Sequence, residues 1–139
     1  MRQSLSENRT ALVAVGLSVL IAAVAIVDQL GSRSLIEHAA TGYAAYGKHV
    51  SAGALYGMLY GVAVLDAVLW LLVAGLARSH RLIAAGLGVG VVLLTAALGI
   101  TLLAASEYGA HPYPALWGLL ALLPAVAGAV ATGLLFRRR

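Results

Sequence analysis

Four unbroken apolar runs, at residues 11–30, 51–77, 82–105 and 115–136, alternate with short polar connectors. Each is longer than the roughly 18 residues at which a helix begins to cross the hydrocarbon of a bilayer. Inside them the only acidic or basic side chains are Asp28, at the end of the first run, and Asp66, in the middle of the second. Lipid offers the backbone no hydrogen-bond partners, so runs this apolar cross as helices or as a closed barrel. Barrel strands are short and alternate in polarity, and these runs do neither. The pattern predicts an all-α membrane protein, an antiparallel bundle of four transmembrane helices forming a single domain over residues 1–139.

The connector at 31–50 is too polar to cross and too patterned to be plain loop. Ser34-Leu35-Ile36-Glu37 reads as a capping box, in which a serine and a glutamate three residues apart satisfy each other's amides at a helix start. Leu35, Ile36, Ala39, Ala40, Tyr43 and Tyr46 then recur at helical spacing. They predict a short interfacial helix with tyrosines at the headgroup boundary. Gly42 and Gly47 weaken it, and Gly47 is expected to end it. In the connector at 106–114, His111-Pro112-Tyr113-Pro114 leads into the fourth span, and Pro114 suits its first turn.

The 139 residues are 62% hydrophobic and 10% charged, a balance that excludes a water-soluble domain of this size. The absence of cysteine removes disulfides, thiolate metal sites and thiol redox chemistry. Seven of the nine basic residues, Arg2, Arg9, Arg78, Arg81, Arg137, Arg138 and Arg139, fall on one side of the predicted bundle, against Arg33 and Lys48 on the other. The positive-inside rule therefore puts both termini in the cytoplasm. The net charge of +4 reads as topology and contact with anionic headgroups, not as a nucleic-acid footprint. Ala23-Val24-Ala25 looks like a signal cleavage site, but the apolar stretch runs from residue 11 past it to 27. A signal's apolar region is about 7–15 residues, so the first run is expected to remain as a span.

Helices in lipid gain little from hydrophobicity when they associate, and small residues that let backbones approach take on more of that task. Gly53, Gly57 and Gly61 form such a stripe in span two, Gly86 and Gly90 in span three, and Ala125, Ala129 and Gly133 in span four. They are expected to pack within the bundle, or alternatively to form a dimer seam. Asp66 lies near the bilayer midplane and should not face lipid. At 100° per residue it shares a face with Leu59, Val62, Ala63, Trp70 and Val73, away from the glycines. Span two is therefore expected to have two packing faces and to be central.

Thr95 of span three and Pro124 of span four fall at the depth of Asp66. Proline removes an amide and frees the carbonyl of Leu120, so a protonated Asp66 could donate to that carbonyl or to Thr95. The site reads as a structural hydrogen bond, or alternatively as a proton- or cation-coupling site or a subunit contact. Tyr56 and Tyr60 are packed or interfacial tyrosines, or alternatively line a polar approach to Asp66.

Asp28, Glu37, His38, His49, Glu107 and His111 all fall at the outer ends of the spans. Imidazole and carboxylate are competent metal ligands, but the spacing matches no metal motif, and solvated connector residues are the plainer reading. His80, between Arg78 and Arg81, reads as a connector histidine. A phosphate-binding glycine loop, a Gly-x-Ser-x-Gly elbow and paired carboxylates within a span are all missing.

Tyr43-x-x-Tyr46-Gly47, Trp70-Leu71, the short basic connector, Glu107-Tyr108-Gly109, Leu122-Leu123-Pro124-x-x-x-Gly128 and the terminal arginines together resemble a group of small four-span bacterial membrane proteins. The resemblance covers most of the chain from about residue 30 and implies a topology, not a chemistry. The sequence thus points to a non-enzymatic accessory or structural component of the bacterial inner membrane. No cofactor or nucleic acid is expected; the partners would be the lipid bilayer and either a second copy or another membrane protein. One alternative is an oligomeric carrier coupled to protons or cations through Asp66, with Tyr60 and Trp70 along the route. The other is a metal- or haem-binding membrane protein using the outer histidines.

Overall fold

A computed structural model describes residues 2–137, with side chains from residue 8 onward. Arg138, Arg139 and the side chain of Arg2, which belong to the basic grouping, lie outside the described residues. The chain forms α1 (Arg2–Leu30), α2 (Ser34–Ala44), α3 (Ala52–Leu76), α4 (Arg81–Ala104) and α5 (Ala115–Phe136). α1 from Asn8, α3, α4 and α5 are each long and apolar enough to cross a membrane. Their bounds lie within a residue of the predicted runs, except that α1 begins earlier, at Arg2. This is a small multi-pass membrane protein with four spanning helices and a short helix between spans one and two.

The four long helices stand at four corners in chain order. α1 packs on α3 and α5, α4 packs on α5 and α3, and α1 and α4 face each other across the diagonal. Each helix turns a stripe with three- and four-residue steps to the interior: 11, 14, 18, 21, 25 and 28 on α1, and 84, 88, 91, 95, 99 and 102 on α4. That spacing is the seam of helices crossing at a shallow angle. The outward faces carry residues such as Val27, Val64, Leu93 and Val126, suited to acyl chains rather than water.

The small-residue stripes are not where they were expected. An added Cβ on Gly57, Gly61, Gly86, Gly90 or Gly133 would meet nothing within 4 Å, so these glycines look out of the bundle. Ala129 is also exposed, and only Ala125 of that stripe is buried. Span two accordingly has one inward face, not two, and is a corner of the bundle rather than its centre. The physical reason is that side chains gain no more from a protein neighbour than from lipid, so Asp66, which has most to lose in lipid, sets the rotation of α3. The close approaches occur at other glycines. A Cβ on Gly88 would stand 2.6 Å from Thr132 Oγ1, and one on Gly99 2.6 Å from Leu122. Gly118 lies against Leu103 and Gly128 against the indole of Trp70, the latter linking α5 to α3 across the diagonal.

α2 starts at Ser34 as predicted, but the capping box does not form. Arg33, the residue before it, is left-handed at φ 55° and offers no side-chain cap. The carboxylate of Asp28 takes the role instead: Oδ1 accepts from the Ser34 amide at 2.9 Å and Oδ2 from the Leu35 amide at 3.0 Å. A tight turn after α1 brings this charge to the orphan amides, where it is worth more than a neutral serine cap. The helix ends at Ala44, and Gly47 (φ 61°) supplies a left-handed residue in the turns that follow. Pro114 is the residue just before α5 rather than one inside its first turn.

Candidate functional site

Two large buried apolar clusters, with a small third one of Ala11, Ala74 and Ala131, fill the interior. One large cluster, toward the tyrosine-rich end, includes Ile21, Leu59, Ala63 and Ala121; the other, toward the basic end, includes Ala14, Trp70, Val73 and Val91. Between these two each helix places one fully buried residue of a different kind: Ser18 on α1, Asp66 on α3, Thr95 on α4 and Pro124 on α5. Ser18 donates to the Ala14 carbonyl at 2.9 Å, the usual recourse of a hydroxyl inside a membrane helix. Asp66 meets Thr95, not the Leu120 carbonyl: Thr95 Oγ1 lies 2.5 Å from Asp66 Oδ1 and 2.8 Å from the Val91 carbonyl. Asp66 Oδ2 and Trp70 Nε1 are buried without a hydrogen-bond partner among the described residues. The predicted neighbours on the Asp66 face, Leu59, Val62, Ala63, Trp70 and Val73, are all buried with it.

Tyr56 and Tyr60 do not lead to Asp66. Tyr56 is buried and donates to Asp28 Oδ2 at 2.7 Å, while Tyr60 donates to Gln29 Oε1 of α1 at 2.5 Å. Asp28 thereby accepts five hydrogen bonds, the remaining two from the Ser32 and Ser34 hydroxyls at 2.6 and 2.5 Å. It anchors α1, α2 and α3 together.

At the same end, the α4–α5 connector folds into a tight turn in which Glu107 and Ala110 exchange backbone hydrogen bonds of 2.8 and 3.0 Å. Tyr108 and Gly109 occupy its corner with φ of 53° and 74°. A non-glycine residue in that region is strained, and Tyr108 is held there by ring contacts to Tyr43 at 5.5 Å and Tyr46 at 5.2 Å. The Tyr43 hydroxyl donates to Glu107 Oε2. His38 Nε2 donates to the His111 carbonyl and His111 Nδ1 to the Ala105 carbonyl, both at 3.0 Å. Tyr113 donates to the Leu55 carbonyl at 3.0 Å, and burial raises its pKa. These contacts clasp α2 and α3 to the α4–α5 turn.

The six outer residues thus separate by role. Asp28 caps a helix, Glu107, His38 and His111 build the clasp, and Glu37 and His49 stay exposed. Among the described residues no three histidine, aspartate or glutamate side chains come together as metal ligands. His80 is exposed just before α4 without capping it. At the basic end an Arg81 guanidinium nitrogen lies 3.4 Å from the Leu134 carbonyl. Sequence reasoning missed the Asp28 anchor and the Gly128–Trp70 contact. The first was signalled by serines at 32 and 34 beside an acid at a span's end.

Comparison with known proteins finds no family model, no curated protein and no solved structure that matches this chain.

Proposed function

We propose that this chain is a non-enzymatic accessory or structural component of the bacterial inner membrane, with its basic end in the cytoplasm. The observation that supports this most is the sealing of Asp66. Its Thr95 partner sits on the neighbouring helix, an apolar cluster lies on either side, and Trp70 is pressed onto Gly128 one turn below. A side chain so enclosed pins two helices together and exchanges nothing with either face of the membrane. The arginines at 78, 81 and 137, all at one end, support the orientation. The outward glycines of α3, α4 and α5 leave shallow notches where another membrane helix, from a partner protein or a second copy, can approach. The bilayer itself is the other partner.

The rival reading, a carrier coupled to protons or cations through Asp66, has one observation in its favour. Thr95 has a single hydroxyl hydrogen and two acceptors within reach, which leaves a place for a hydrogen carried by the carboxyl. Reconstitution into vesicles holding a pH-sensitive dye separates the readings. The accessory role predicts proton and cation leakage equal to that of empty vesicles, unchanged in Asp66→Asn. Protein-dependent flux abolished by Asp66→Asn overturns it. Labelling of single cysteines at positions 48 and 80 in intact cells tests the orientation, with only position 48 expected to react with an impermeant reagent.

A further inference from the structure

The tyrosine-rich end holds a cavity of about 430 Å³ between the connector at 45–51 and the α4–α5 turn. Its size lies within the range of small-ligand sites. One wall carries Tyr43, Glu107 and Tyr108; the other carries Lys48 and His49; Leu55 and Met58 of α3 line it as well. We propose that this cavity binds the zwitterionic headgroup of a phospholipid, a phosphate ester joined to an ammonium group. The inference is independent of the accessory role.

Both signs of charge face the same space, and each has capacity to spare. The Lys48 ammonium and the His49 ring make no hydrogen bond or ion pair among the described residues. They are adjacent in the chain and can share one phosphate. Across the cavity, the Glu107 carboxylate has one oxygen occupied by the Tyr43 hydroxyl and the other free for an ammonium. The Tyr43 and Tyr108 rings, packed edge to face at 76°, line the same space. A purely anionic head would meet Glu107, and a purely cationic head would meet Lys48. A zwitterion satisfies both.

The surroundings make a lipid the source of that head. Met58 is exposed on the flank of α3, so the apolar side of the cavity leads down toward the acyl region. Lys48 and His49 also border a second cavity of about 500 Å³, whose other walls include Ile36, Ala40, Ala44 and Val50. Lys48 and His49 therefore stand on a ridge between two partly apolar recesses. A head seated on the ridge with chains descending alongside fits this layout.

Native mass spectrometry of the full chain in mild detergent, titrated with phosphatidylethanolamine, phosphatidylglycerol or soluble phosphoethanolamine, tests the proposal. The expected order is phosphatidylethanolamine about tenfold tighter than phosphatidylglycerol, the worth of one charge-assisted contact. Lys48→Gln should weaken phosphatidylethanolamine by about the same factor. Glu107→Gln should reverse the preference toward phosphatidylglycerol. Arg137→Gln, at the other end, should change neither, and circular dichroism confirms that each variant is folded. Equal retention of the two lipids, or wild-type retention by folded Lys48→Gln and Glu107→Gln, overturns the site. Phosphoethanolamine binding as tightly as the lipid overturns the assignment of a lipid source.

Discussion

The benzene ring of the Trp70 indole occupies the space that a methyl group on residue 128 would take. It links α3 and α5, helices that otherwise face each other across the bundle diagonal. Gly128→Ala should therefore destabilise the fold by roughly 1–3 kcal/mol, the cost of overpacking a core. Gly133→Ala, where a Cβ meets nothing within 4 Å, should be neutral or stabilising by up to about 1 kcal/mol through helix propensity. Unfolding by denaturing detergent, followed by circular dichroism, measures both. Equal effects of the two substitutions would remove the claim that Gly128 is special.

The Asp28 carboxylate satisfies two amides and three hydroxyls. Asp28→Ala strips all five donors at once and should cost about 2–4 kcal/mol, since donors left unpaired in a buried place are expensive. Tyr56→Phe, which removes one of the five, should cost about 1 kcal/mol. Hydrogen exchange locates the damage. The amides of Ser34 and Leu35 should lose protection in Asp28→Ala and keep it in Tyr56→Phe.

Thr95 gives Asp66 its only hydrogen-bond partner among the described residues, since Oδ2 has none. Thr95→Val keeps the shape but leaves both carboxyl oxygens unpaired, and should cost about 1–3 kcal/mol. Thr95→Ser should be far milder. A double-mutant cycle with Asp66→Leu checks the cause, because the valine penalty should vanish once the carboxyl is gone.

The clasp predicts a particular alkaline behaviour. The hydrogen bond to Glu107, then burial, hold the Tyr43 phenol above its ordinary value of 10.0, up to about 12. A raised folded pKa means that the contribution of the neutral phenol to stability is complete below pH 10.0 and is lost as the pH climbs through about 12. Difference absorbance between wild type and Tyr43→Phe should show one phenolate forming late, near pH 12. Glu107→Gln should bring that step back toward 10.0. A difference step centred near 10.0 in the wild type would mean that the clasp is absent in solution.

The spans were legible because length and polarity alone decide them. The rotation of each helix was legible only where a charged side chain forced it, and Asp66 correctly placed Leu59, Trp70 and Val73 inside. Glycine stripes misled, because in an apolar chain the lipid face and the interior face are equally hydrophobic and a notch serves either. The better signal was the three-and-four spacing of small and polar residues, such as Ala11, Ala14, Ser18, Ala25 and Asp28 on α1, all of which are buried. The clasp was legible in its residue types but not in its pairing. That pairing depends on Tyr108 taking a left-handed backbone, which its side chain does not advertise.

The layer of Ser18, Asp66, Thr95 and Pro124 also decides alignment. Four greasy rods in a greasy solvent have little to stop one from sliding past another, because every slipped arrangement is about as oily as the correct one. A single carboxyl that must find a single hydroxyl works like the tooth of a key. Shifting α3 by one turn would strand the acid among hydrocarbon, so the midplane acts as the ruler against which the helices are measured off.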